Sequence, residues 1–391
     1  MQQLPLVLIA ILGVLQHAVS GQRVNATSFD RCPELAPRVK PAQHVRDLRH
    51  DDIKVVMALG DSSITAGFSA KPRPFLDLKR VFEFRGVSYA AGGDPGAVTL
   101  PNGFRRYQPN LVGASVGDHL VEVCYGPVCP PFQYQPEKDR LNAAQSGVMA
   151  QNLKNEVYYL IDQLRADRNV DMQNDWKFLN LQVGSNDLCL SCTPFARERG
   201  PLSPDAYEAH IREALQLVRT NIPRVFVNLG MSPLTMHPAT DTVGNFKVSE
   251  IYAHGRKNAV CKVIQSLPGF NVACACALVP GALGDKLRKR MDDTMAQYNE
   301  RLRRIHDDYE RIKDPQFGVS LQVFDSQLTS FPGGTFSDFD CFHPTERTHA
   351  YIATFAWNGL ALPLANRPDV VIYDPNLKIS CPGNDDRLRT D

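Results

Sequence analysis

Apolar residues gather in short, separated runs along most of this chain. Ile53-Lys54-Val55-Val56-Met57-Ala58-Leu59 is nearly continuous and stops at Gly60-Asp61-Ser62, the pattern of a strand buried on both faces of a parallel sheet. Trp176 to Val183, Arg224 to Leu229 and Phe317 to Phe324 repeat it. Between these runs the spacing turns helical. From Gly147 onward Val148, Leu153, Val157, Leu160, Ile161 and Leu164 share one side, so Gly147 is expected to open a helix. Ser203-Pro204-Asp205 offers a cap with proline at the first helical position, and Tyr207, Ile211, Leu215 and Val218 continue the apolar face. Leu287, Met291, Met295, Tyr298, Leu302, Ile305, Tyr309 and Ile312 step by fours and threes, which predicts a long amphipathic helix with its methionines as core filler. Thr345 to Leu362 is the last helix. Strands alternating with helices predict an α/β fold with a mostly parallel sheet. Residues 71–140, rich in Pro and Gly, read as a large irregular insertion.

The first apolar run is of a different kind. Leu4 to Leu15 is followed by Gln16-His17 and the small residues Ala18-Val19-Ser20-Gly21, with no charge before Arg23. It falls short of the roughly 20 residues needed to span a bilayer and ends in a cleavable small-residue site. Residues 1–20 are therefore expected to be a signal peptide and 21–50 an extended N-terminal segment. The main α/β domain is expected over 51–383, with its insertion at about 68–140, and a polar tail over 384–391. No later segment is apolar enough to anchor the chain, so a soluble secreted protein is expected. Ten cysteines suit that compartment. Cys124–Cys129 and Cys189–Cys192 are candidate local loops, while Cys274 and Cys276 each need a distant partner, Cys261 being one candidate. Asn25-Ala26-Thr27 is a glycosylation sequon. With 43 basic and 42 acidic residues among 391, no large field steers the chain to nucleic acid. An apolar content of 43% excludes disorder.

Ligands of parallel α/β sheets bind beyond the carboxyl ends of the strands, and four groups sit in such places. Ser62 follows the first strand. Asn142 and Gly147 frame the start of a helical stretch. Asn186 follows the second strand in Gly184-Ser185-Asn186-Asp187, and Asp340 and His343 precede the last helix. Together they make an acyl-transfer set. A serine needs a base to remove its proton, and His343 can be that base. Asp340, three residues earlier, can hold the imidazole in the right tautomer. Amides of Ser62 and Gly147, with the Asn186 side chain, can face an oxyanion.

In this order the motifs resemble the four blocks of the SGNH, or GDSL-type, hydrolases, over roughly residues 53–362. Arg85-Gly86-Val87-Ser88, Gly92-Gly93-Asp94, Thr99-Leu100-Pro101-Asn102, Asn186-Asp187-Leu188-Cys189 and Asp340-Cys341-Phe342-His343-Pro344 look like phrases of the phospholipase B group. The resemblance implies a three-layer α/β/α, flavodoxin-like fold with a mostly parallel sheet. It implies Ser62, Asp340 and His343 as the catalytic triad and Ser62, Gly147 and Asn186 as the oxyanion hole, with Gly93 as the alternative to Gly147. No cofactor and no metal are implied, and the substrates would be esters, lipid or phospholipid foremost, with transient contact at a lipid surface. The first block reads Gly-Asp-Ser-Ser, with Ser63 where that family has leucine.

Rival readings use other residues. Gly113-Ala114-Ser115-Val116-Gly117 matches the nucleophile elbow of α/β-hydrolases, but lacks a strong strand before it. Asp292-Asp293 and Asp307-Asp308 suggest paired glycosidase carboxylates, yet lie on the long amphipathic helix, where solvation explains them. A carbohydrate acetyl esterase of the same fold and a non-catalytic secreted lipid- or glycan-binding protein are the alternative functions. Long acyl chains call for an apolar cleft, and Phe75, Leu76, Leu78, Val81, Phe82 and Phe84 are candidates for its wall or lid.

Overall fold

The computed structural model describes residues 23–62, 65–74, 76–130, 132–191, 200–230, 248–266, 274–322, 326–368 and 370–391. The expected signal peptide, Ser63, Phe75 and Cys192 lie outside them.

Four runs of buried residues form one parallel sheet in the order β1 (Ile53–Gly60), β2 (Trp176–Gln182), β3 (Val225–Gly230) and β4 (Phe317–Gln322). Only Lys54 among these residues is exposed, as expected of strands covered on both faces. Leu179 and Leu181 of β2 pair with Val227 and Leu229 of β3, which pair with Val319 and Leu321 of β4. These side chains face a core built with Leu160, Leu215 and Leu302, from helices α2 (Leu153–Ala166), α4 (Pro204–Asn221) and α5 (Gly281–Ile312). Phe178 and Phe226 point the other way, into a second core with Phe104 and Trp357. Those two come from α1 (Leu100–Tyr107) and α6 (Glu346–Leu360). Helices therefore cover both faces, and the fold is the three-layer α/β/α arrangement. The short α3 (Ser185–Cys189) follows β2.

Several boundaries differ from the sequence pattern. Gly147 does not open a helix: a 3-10 turn at Ala150–Asn152 precedes α2, and Gly147 stands in the loop before it with φ +88°. The apolar spacing from Val148 reflects a buried loop as well as a helix face. The insertion contains α1, whose Pro101 and Gly103 disguise it; Thr99 Oγ1 caps it by accepting the Asn102 amide. The N-terminal segment is not a loose lead-in. Asn25–Ala26 pairs antiparallel with Ile379–Ser380, Cys32 is bonded to Cys381, and Val45 and Leu48 are fully buried. Within the final residues Leu388 is also buried, and its amide donates to Leu48.

One of the two local cysteine loops and the candidate distant partner Cys261 are corrected. Cys124–Cys129 forms, but Cys189 is joined to Cys274, and Cys261 to Cys341. Cys189 ends α3 facing the core, where a distant segment packs, so nearness in sequence does not choose its partner.

Candidate active site

The carboxyl end of β1 sets the position of Ser62. Gly60 carries φ +149°, and a Cβ there would lie 2.1 Å from the Gln182 carbonyl oxygen, so the strand can turn out of the sheet only with glycine. Beneath the turn, Glu156 of α2 is fully buried and accepts the Gly60 amide at 2.8 Å; burial pushes its carboxyl well up. Beside the turn, Asp61 Oδ2 accepts the amide of Ser185 at 3.2 Å, which ties the first motif to the third.

Ser62 Oγ lies 2.8 Å from His343 Nε2. The other ring nitrogen, Nδ1, is hydrogen-bonded to Asp340 Oδ2, while Asp340 Oδ1 accepts the amides of Phe342 and His343 at 3.0 Å each. Burial alone would raise the Asp340 pKa, but His343 and the two amides outweigh it and hold the carboxyl below its ordinary value. All three side chains are buried. The Phe68 ring packs edge-on against the imidazole, centroids 4.8 Å apart.

Between Asp340 and His343 the chain passes through Cys341 at φ +61°, a left-handed conformation that an L side chain adopts at a cost. Its bond to Cys261, on the short helix Ala259–Ser266, fastens that turn. The carbonyl of His343 also accepts the Ser337 amide at 2.7 Å.

Donors converge on the same end of β1. Gln145 donates its amide to the Gly60 carbonyl at 3.3 Å, and Asn186 Nδ2 donates to the Val148 carbonyl at 2.9 Å, its second hydrogen meeting no acceptor among the described residues. Among the described residues the amides of Ser62 and Gly147 meet no acceptor. The amides of Gly92 and Gly93, by contrast, are spent on Ser88 and Ser115. Gly147 is required where it stands, since a Cβ would meet the Cys124 carbonyl oxygen at 2.8 Å. Asn142 braces the loop: Nδ2 reaches the Thr65 carbonyl at 3.1 Å, and Oδ1 accepts the Ala144 amide.

Ser115, of the nucleophile-elbow match, is fully buried and donates to the carbonyls of Arg85 and Ala91, with no histidine among its partners. Of the proposed lid residues, Phe84 is packed inside, while Leu76 and Leu78 are 89% and 84% exposed. A cavity of about 710 Å³ opens beside the Gly147 loop. Its lining mixes apolar residues, among them Tyr125, Pro127, Met149, Leu190 and Leu202, with polar ones, among them Gln151, Asn152, Lys154 and His210.

Sequence reasoning missed a buried ionic cluster. His119, Glu122 and Asp139 bring ligand-type atoms within 4.8 Å of one another. However, Arg85 Nε lies 3.1 Å from Asp139 and Nη2 lies 3.4 Å from Glu122, so a guanidinium already supplies positive charge there. Burial pushes Glu122 up to about 7 even so. Charged residues scattered over an irregular insertion carry no periodic signal that would separate this cluster from a solvated surface.

The model for GDSL-like lipase/acylhydrolase matches residues 56–355. Among curated proteins, the chain is 28% identical over 372 residues to "Phospholipase B1, membrane-associated" of Rattus norvegicus, covering 92% of this chain and 23% of that protein. The Homo sapiens protein of the same name is 27% identical over 361 residues, covering 90% and 22%. The chain thus spans less than a quarter of the length of these relatives. Among solved structures, the acetylxylan esterase Axe2 of Geobacillus stearothermophilus aligns with a TM-score of 0.36 and 17% identity, over 77% of this chain and 90% of that one.

Proposed function

This chain belongs to the GDSL-like lipase/acylhydrolase family, whose members are carboxylic ester hydrolases, and from that premise we propose that it is a secreted serine esterase acting on the acyl esters of phospholipids. The observation that carries the mechanism is the relay from Ser62 Oγ through His343 to Asp340. Ser62 Oγ attacks the ester carbonyl carbon while its proton passes to His343 Nε2. Asp340 keeps the Nδ1 hydrogen on its own side and stabilises the imidazolium. The oxyanion takes hydrogen bonds from the amides of Ser62 and Gly147 and from Asn186 Nδ2. Collapse breaks the bond to the alcohol oxygen, which takes the proton from His343 and leaves; water then attacks the acyl-enzyme by the same steps in reverse order.

A lipid ester finds room for its acyl chain if that chain runs from Ser62 past the Gly147 loop to the cavity at Met149, whose wall includes Tyr125, Leu190 and Leu202. The phospholipase B relatives point the same way. Five buried disulfide-forming cysteines around the site and core, Cys124, Cys189, Cys261, Cys274 and Cys341, suit an oxidising compartment.

The test is product analysis on phosphatidylcholine labelled differently on its two acyl chains, with an acetylated xylo-oligosaccharide in competition. Release of fatty acid by the protein and not by Ser62→Ala is the expected result. Release of acetate alone would move the substrate to carbohydrate, and no release from either would leave only a binding role.

A further inference from the structure

Buried charged side chains hold the five residues that lead into Gly147. Arg85 is fully buried. Its Nη1 donates to the Asn142 carbonyl at 3.0 Å and its Nη2 to the Ala144 carbonyl at 2.7 Å, so one guanidinium spans two alternate carbonyls of the loop. The same group donates twice to Glu83 Oε2, at 3.0 and 2.7 Å. Glu83 Oε1 in turn accepts the hydroxyl of Ser146 at 2.5 Å and its amide at 3.2 Å. Glu122 accepts Gln145 Nε2 at 3.1 Å. Apart from the Arg85–Glu83 pair itself, every contact in this set ends on residues 142–146, and among the described residues the next amide in the chain, that of Gly147, meets no acceptor.

Burying an arginine with three carboxylates is costly, and apolar residues of the same volume would often serve the fold as well. What they cannot do is fix carbonyls in register. An oxyanion hole works because its donors are already in place when charge develops, and a displacement of ~1 Å can cost ~10²-fold in rate. We infer that Arg85, with Glu83 as its counter-ion, is a positioning residue for the oxyanion hole: it clamps the Asn142–Ser146 run so that the Gly147 amide points at the reacting carbonyl. The inference rests on the reading of Gly147 as an oxyanion donor. A lysine could replace the charge but not the planar fork that reaches two carbonyls and a carboxylate together.

The experiment compares Arg85→Lys, Ser146→Ala and Asn186→Ala with the unaltered protein, using a short-chain p-nitrophenyl ester. Active sites are counted by fluorophosphonate titration, so that misfolded protein is not read as slow protein. Binding of an alkyl trifluoromethyl ketone, a tetrahedral mimic, is measured alongside. Arg85→Lys should lower kcat per titrated site roughly 10- to 100-fold, leave KM within about threefold, and weaken the ketone by a similar factor. Ser146→Ala, which removes a single hydroxyl contact, should show a smaller loss with the same pattern, and it answers the question if Arg85→Lys does not fold. Asn186→Ala reports on the oxyanion hole itself and should cost roughly 10²–10³-fold in kcat. If Asn186→Ala is impaired while Arg85→Lys and Ser146→Ala keep the full rate per site and the full ketone affinity, the positioning role is overturned and the site reading stands. If Asn186→Ala costs less than about threefold, the oxyanion reading fails and the positioning role with it.

Discussion

Replacing Asp340 by Asn exchanges one carboxylate oxygen for an NH2 group and reverses a proton. In the native arrangement Asp340 Oδ1 accepts the amides of Phe342 and His343, each at 3.0 Å, and Oδ2 accepts the Nδ1 hydrogen of His343. An asparagine has one oxygen to offer. The two backbone donors hold that oxygen, so the NH2 group must face Nδ1 and can only donate to it. Nδ1 then becomes the acceptor, and the proton of the neutral ring moves to Nε2, 2.8 Å from Ser62 Oγ. A ring that donates to the serine cannot take its proton. The wrong tautomer is worth ~10⁴-fold in kcat, about 5.4 kcal/mol of barrier. The two amide contacts survive, so the loop and the fold should persist. Asp340→Asn should therefore melt as one cooperative transition near the native Tm. Steady-state hydrolysis of a short-chain p-nitrophenyl ester, with Ser62→Ala as the floor, gives the number. Retention of more than about a tenth of the native kcat by a folded variant would refute the tautomer argument.

Three further outcomes follow from the same geometry. Met149→Trp should fill part of the cavity beside Gly147, lowering activity on long-chain esters about tenfold or more relative to the acetyl ester; an unchanged chain-length profile would detach the cavity from the substrate. Cys261→Ser with Cys341→Ser should release the left-handed turn between Asp340 and His343 and lower kcat at constant KM; full activity in the folded double variant would show that the turn holds without its bond. His50, packed at a tilt against Trp357 with ring centroids 4.6 Å apart and fully buried, has its pKa pulled by burial from 6.5 down to about 4, with Arg23 adding to the fall and Asp386 and Asp51 opposing it. Between those values the unfolded chain binds a proton that the folded chain does not, so stability falls as pH falls, at about 1.4 kcal/mol per pH unit. Denaturation of His50→Phe should lack that component of the slope, and an identical slope in both proteins would contradict the assignment.

Where one strand or one turn carries the information, the sequence is a good guide. The run Ile53–Leu59 closed by Gly60-Asp61-Ser62 marks both the strand and the residue at its end, and Asp340-x-x-His343 marks a turn that brings carboxylate and imidazole together. Spacing was less informative at Gly147, where a buried loop mimics the apolar rhythm of a helix. It was silent on partners that meet only in space. Cys341 sits between two motif residues, yet its bond to Cys261 depends on how a helix 80 positions away packs. Arg85 is legible only as part of a motif, and Glu83, Glu122 and Asp139 carry no local signal, until the fold buries them together beneath residues 142–146. Helix α1 was hidden by Gly103, which is there because the Trp357 ring would come within 2.6 Å of a Cβ. A close approach of that kind leaves no trace in local propensity.

Covalent trapping decides whether Ser62 is the nucleophile. The purified protein would be treated with an alkyl fluorophosphonate, digested, and the labelled peptide located by mass spectrometry, with Ser62→Ala and Ser115→Ala in parallel. The expected result is a single phosphonyl group on Ser62, loss of labelling and of esterase activity in Ser62→Ala, and normal labelling in Ser115→Ala. A phosphonyl group on any other serine, or full esterase activity in Ser62→Ala, would contradict it.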